Sequence, residues 1–249
     1  MSVECTWDEP IRASRAGIVF DIVAKQRTVF GMRVEQPAQP SWLVAINKLW
    51  VVAICRWHSL EVSGKFPRTG PVLLLANHAS WMDPVILAEA VTSIAGRTIS
   101  VMTRSEFFET PLLGWWLRRS GGIAIRRGEA DLAGLRRARE ELRQGHVLGM
   151  FPQATRAYGR QGLFGEIKSG PAYIAARTSV PVVPTAILGS AGSLFSRVRY
   201  EVRFGEPFVV PSLARRASQP EVEERTRLVE ERMLAVLPDS YKRDRRATA

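Results

Sequence analysis

Sulfur and imidazole are scarce in this sequence. Its two cysteines, Cys5 and Cys55, lie far apart and match no ligand spacing, which excludes a disulfide scaffold and a zinc site. It has three histidines, His58, His78 and His146, so histidine chemistry has three candidate positions. The opening residues, MSVECTWDEP, lack the basic leader and apolar run of a secretory signal. No window holds the ~18 uninterrupted apolar residues expected of a membrane span. There is no G-x-S-x-G elbow and no cysteine beside a histidine, so no side-chain nucleophile stands out. The stretch GLFGEIKS (162–169) approaches a phosphate-binding loop, but Ile167 stands where the second glycine is required. LGSAGS (188–193) reads as a Gly/Ser turn. The basic runs RRARE and KRDRR lack interleaved aromatics and any groove-reading motif, which argues against nucleic acid.

What is present is apolar and basic. Hydrophobic residues make up 46% of the 249 positions, enough to bury a full core. The formal net charge of +11 favours anionic partners such as phosphate groups, lipid headgroups or acidic carrier proteins.

Residues 1–41 read as an N-terminal extension, with Pro37 and Pro40 marking a linker. The pattern changes at SWLVAINKLWVVAICRW, where Ser41 is a candidate N-cap. Trp42, Trp50 and Trp57 alternate there with Asn47, Lys48 and Arg56. Aromatic rings near cationic heads suit an amphipathic helix over 42–58 lying at a membrane surface; a buried core helix is the competing reading. Apolar runs at 72–77, 98–103, 122–125, 147–151, 181–187 and 200–204 then predict strands. Helical patterns fall at 84–95, 106–119, 129–144, 170–179 and 220–237, with Gly145 a natural stop for the third. The alternation predicts one α/β domain over 42–240, a mixed central sheet flanked by helices. A basic tail, 241–249, follows.

The sharpest chemical signal is LLLANHASWMDP. A buried-type strand ends at Asn77 and His78 emerges just past its carboxyl end, where open α/β sheets gather ligands. Asp83-Pro84 has the form of a helix start, with Asp83 as N-cap and Pro84 first in the helix. His78 and Asp83 then share one short loop. A carboxylate that fixes the imidazole tautomer leaves the other ring nitrogen free to take a proton from an attacking group. A structural histidine beside a helix-capping aspartate is the alternative.

Four blocks in order tip that balance. Asn77-His78-Ala79-Ser80-Trp81-Met82-Asp83 resembles the N-H-x-x-x-x-D block of the glycerolipid acyltransferases, the family of 1-acylglycerol-3-phosphate acyltransferase. Gly122-Ile123-Ala124-Ile125-Arg126 resembles that family's second block, Phe151-Pro152-Gln153-Ala154-Thr155-Arg156 its third, usually F-P-E-G-T-R, and Val180-Pro181-Val182-Val183-Pro184 its fourth. The likeness spans roughly residues 42 to 210.

The resemblance implies transfer of a fatty acyl group from acyl-CoA or acyl carrier protein to the hydroxyl of a lysophospholipid-like acceptor, in phospholipid biosynthesis. His78 would be the general base and Asp83 its orienting carboxylate. Arg126, Gln153, Thr155 and Arg156 would bind the acceptor, the arginines gripping its phosphate, with Arg127 and Lys168 as helpers. No metal or tightly bound cofactor is implied, and the expected location is the cytoplasmic face of a membrane, peripheral or monotopic. Gln153 and Ala154 depart from the usual Glu and Gly. Two other readings therefore stand: a non-catalytic lipid-binding relative, and a thioesterase or hydrolase using the same His-Asp pair on water.

Overall fold

In the computed structural model, residues 59–126, 131–153, 167–191 and 199–239 are described. The expected extension, the docking helix at 42–58, the basic tail, Arg127, Thr155 and Arg156 lie outside them.

The core strand is β2 (Val72–Ala76), whose five residues are all buried. Its run of leucine and alanine has no polar alternation because both faces are covered. Leu73 and Leu75 point to one side, where they meet Ala138 and Leu142 of α4 (Leu132–Arg143), Ala172 and Ile174 of α5 (Ser169–Thr178), and Val229 and Met233 of α6 (Gln219–Val236). Val72, Leu74 and Ala76 point to the other, against Ile86, Leu87, Ala90 and Val91 of α1 (Asp83–Ala95). Each fully buried leucine contributes about 1.5–3 kcal/mol relative to exposure.

The remaining strands are β1 (Ser59–Gly64), β3 (Ile99–Arg104), β4 (Ile123–Ile125), β5 (Val147–Met150), β6 (Pro181–Leu188), β7 (Arg199–Phe204) and β8 (Phe208–Val209). They form one sheet in the order β1-β7-β6-β2-β5-β3-β4, with β8 also on β6. β6, β2, β5, β3 and β4 run parallel; β7 and β8 are antiparallel to β6. This is the mixed α/β sheet that the alternating pattern predicts. Because the five central strands share a direction, their carboxyl ends open on one edge.

Three local departures have physical causes. The expected helix over 106–119 is two pieces, α2 (Glu106–Glu109) and α3 (Pro111–Arg119). Thr110, which precedes Pro111, is extended at φ −72°, ψ 124°, because the proline ring disfavours a helical residue before it. The apolar pattern does not predict β1: of its six residues only Val62 is buried, so it carries little apolar signal. α1 begins with Asp83 as its first helical residue, preceded by Met82 in helical conformation. Asp83 is therefore not an N-cap; its carboxylate turns back toward the preceding loop. The expected stop at Gly145 is present, since Gly145 adopts φ +83° just past α4, a conformation that glycine tolerates readily.

Candidate functional site

Asn77 starts the site where the β2 ladder ends. Its side-chain Nδ2 donates to the Ile187 carbonyl at 2.9 Å, and its Oδ1 accepts the Ile187 N–H at 2.6 Å. The carboxamide thus replaces a backbone peptide and extends the pairing with β6 by one step. Asn77 is fully buried, and burial without these bonds would be costly. The next residue, His78, is pinned to the sheet edge.

Two groups fix the imidazole. Its Nδ1 lies 2.8 Å from Asp83 Oδ2, and its ring stacks on Phe151 at 4.2 Å between centroids and 21° between planes. Phe151 follows β5, the parallel neighbour of β2. The His78 side chain keeps 16% exposure while Asp83 keeps none. Asp83 Oδ2 also accepts the backbone N–H groups of Ala79 at 2.7 Å and Ser80 at 2.8 Å. A carboxylate that receives these amides is an acceptor toward the ring, so Nδ1 carries the hydrogen it donates. In the neutral ring this tautomer leaves Nε2 as the nitrogen without a hydrogen.

Gln153 lies in the turn after β5 and is buried at 5% exposure. Its Oε1 accepts the His78 backbone N–H at 2.8 Å. The same turn is held to the start of α5 by the Lys168 N–H, which donates to the Pro152 carbonyl at 2.9 Å. The amides of residues 78, 79 and 80 are thereby all donated to side chains.

Arg126 is exposed and follows β4 on the same sheet edge, with β5 and β3 between its strand and β2. Its backbone N–H donates to Asp131 Oδ2 at 2.7 Å, while Asp131 Oδ1 accepts from Gly134 N–H at 2.9 Å at the start of α4. These bonds, that from Gly134 foremost, hold the Asp131 carboxyl below its ordinary range. The structure thus brings His78, Asp83 and Gln153 together and puts Arg126 farther along the edge.

The Phe151 stack and the Asn77 link to β6 escape sequence reasoning. The blocks containing Asn77 and Phe151 are visible in the sequence, but pairing them needs the β6-β2-β5 strand order.

Residues 59–188 match the protein family described as Acyltransferase, a span of more than half the chain. A 1-acyl-sn-glycerol-3-phosphate acyltransferase from Brassica napus is 28% identical over 151 residues, 58% of this chain and 42% of that protein. A lyso-ornithine lipid O-acyltransferase from Pseudomonas aeruginosa is 32% identical over 117 residues, 46% of this chain and 43% of that protein. The match therefore spans less than half the length of either relative. The crystal structure of the 1-acyl-sn-glycerophosphate acyltransferase PlsC from Thermotoga maritima has the same fold, with a TM-score of 0.50 at 23% identity, over 79% of this chain and 84% of that one.

Proposed function

Because this chain belongs to the acyltransferase family, we propose that it moves an acyl group from a thioester donor, acyl-CoA or acyl carrier protein, to the hydroxyl of a lysophospholipid-like acceptor. The observation that carries this reading is the 2.8 Å contact between His78 Nδ1 and Asp83 Oδ2 at the carboxyl edge of β2. With Nδ1–H held by the carboxylate, Nε2 takes the acceptor hydroxyl proton as the oxygen attacks the thioester carbonyl. A tetrahedral oxyanion forms. Its collapse breaks the C–S bond, and the departing thiolate recovers the proton from the imidazolium. The donor is consumed as a substrate, and the acyl group moves without an enzyme-bound intermediate.

The oxyanion needs donors other than the amides of residues 78, 79 and 80, which serve Asp83 and Gln153. Thr155 and Arg156, in the third block, and Arg126, at the end of β4, remain our proposed contacts to the acceptor headgroup. The names of the two curated relatives carry different headgroups, a glycerol phosphate and an ornithine lipid. A lyso lipid with a free hydroxyl is the shared class.

Such acceptors reside in bilayers, so the site must work at a membrane surface, on the cytoplasmic face in our reading. Trp81, between His78 and Asp83, is 60% exposed, and Leu112 on α3 is 83% exposed. Among the described residues no helix is long and apolar enough to cross a membrane. Contact through such exposed side chains and through residues 42–58 is the mode we propose.

The test is to incubate the purified chain with a labelled acyl thioester, with and without lysophosphatidate. Acceptor-dependent acylated lipid supports the transferase. Free acid alone would make it a hydrolase, and no turnover would make it a lipid binder.

A further inference from the structure

We propose that Gln153 is a positioning residue that sets the placement of His78, and not a contact to the acceptor. The proposal rests on His78 being the base, as argued above. Two residues of one turn, 151–153, reach His78 from far along the sequence: Phe151 stacks on the ring and Gln153 Oε1, 75 positions away, receives the backbone N–H at 2.8 Å. One fixes the plane of the imidazole and the other fixes the peptide from which it projects. The turn itself is anchored by Lys168 N–H on the Pro152 carbonyl and by its attachment to β5, which pairs directly with β2.

The alternative, that Gln153 binds an acceptor hydroxyl, does not suit its surroundings. The residue is buried at 5% exposure, and its Oε1 is engaged with the N–H of His78. The contact is partly buried, and an amide N–H shielded from water without an acceptor is disfavoured, so displacing Oε1 toward a substrate would uncover the His78 peptide. A carboxylate at this position would accept the same N–H. The function assigned here therefore needs an oxygen acceptor at this reach and is indifferent to charge. Glutamine fulfils it without adding a second carboxylate beside Asp83.

The experiment compares wild type with Gln153→Met, Gln153→Asn and Gln153→Glu. Gln153→Met keeps length without the acceptor, Gln153→Asn falls one methylene short, and Gln153→Glu restores the oxygen. Steady-state transfer from a labelled acyl thioester to lysophosphatidate should show kcat lowered about 10- to 100-fold in Met and Asn, as expected for a reacting group slightly misplaced. KM for the acceptor should change less than about twofold, and Glu should recover most of kcat. A second measurement does not depend on turnover: exchange of the His78 backbone amide with deuterium, followed by NMR. It should be slow in wild type and Glu and at least about tenfold faster in Met and Asn, the factor for losing roughly 1.4 kcal/mol of protection. Should Met fail to fold, Asn carries the same comparison. Inactive wild type with this exchange pattern would sink the transferase reading and leave the positioning role standing. A raised KM at unchanged kcat, or unchanged exchange in Asn, would overturn the proposal.

Discussion

One oxygen of Asp83 serves three donors: His78 Nδ1 at 2.8 Å, the Ala79 amide at 2.7 Å and the Ser80 amide at 2.8 Å. The carboxylate therefore shapes the loop and orients the ring with the same atom. Asp83→Asn keeps the volume but loses the charge, and its amide can turn only one end toward these donors. We expect kcat to fall by about 10²–10⁴, the usual value of general-base assistance, with a stability loss of ~1–3 kcal/mol from weakened buried bonds. Urea unfolding beside steady-state kinetics separates the two effects. Unchanged activity in the folded variant would remove Asp83 from the mechanism.

Asp131 joins the end of β4 to the start of α4 by accepting the N–H groups of Gly134 and Arg126. Asp131→Ala removes a helix cap and should cost about 0.5–2 kcal/mol. These bonds lower the folded-state pKa, the one from Gly134 most, from the ordinary 3.8. The sign follows: the stabilisation is present above about pH 3.8 and is lost as pH falls through the lower folded value. Urea midpoints of wild type and variant should converge in acid and differ at pH 6; a constant gap at every pH would contradict the linkage.

Glu89 shows the opposite sign. Burial along α1 raises its carboxyl above the ordinary 4.5. Any stabilisation is therefore fully present below pH 4.5 and is lost as pH rises through the folded value. Glu89→Gln should melt at a higher temperature than wild type at pH 7, and the advantage should vanish near pH 4. A variant less stable at pH 7 would show that the charge is usefully placed.

Contact with lipid should carry a salt signature. Sedimentation with anionic vesicles should exceed that with neutral ones, and added salt should weaken it. Trp42→Ser with Trp50→Ser, and separately Trp81→Ser, should reduce binding to both vesicle types. A chain that stays in solution with every vesicle would end the surface-docking proposal.

The strands around the site were legible because they are buried on both faces. VLLLA of β2 and VLGM of β5 read as apolar runs, and both lead into the residues of the site. β1 was not legible, since its pairing with β7 is fixed by backbone bonds rather than by apolar side chains. The His78–Asp83 pair could be inferred because only four residues separate its members. The expected capping role of Asp83 missed the alternative use of its carboxylate, since Ala79 and Ser80 offer amides on the other side. Gln153 was legible as a departure from a family block, but not as a partner of His78. That contact depends on β2 and β5 lying side by side, a long-range fact that no local spacing encodes.

The most direct test of the central claim is the transfer rate of His78→Ala, measured with a labelled acyl thioester and lysophosphatidate. Circular dichroism and thermal melting would establish that the variant is folded. The imidazole lies at a sheet edge and is partly exposed, so its removal should leave the fold intact. Loss of general-base catalysis should lower kcat/KM by about 10²–10⁴. Near-normal turnover by the folded variant would contradict the assignment of His78 as the base.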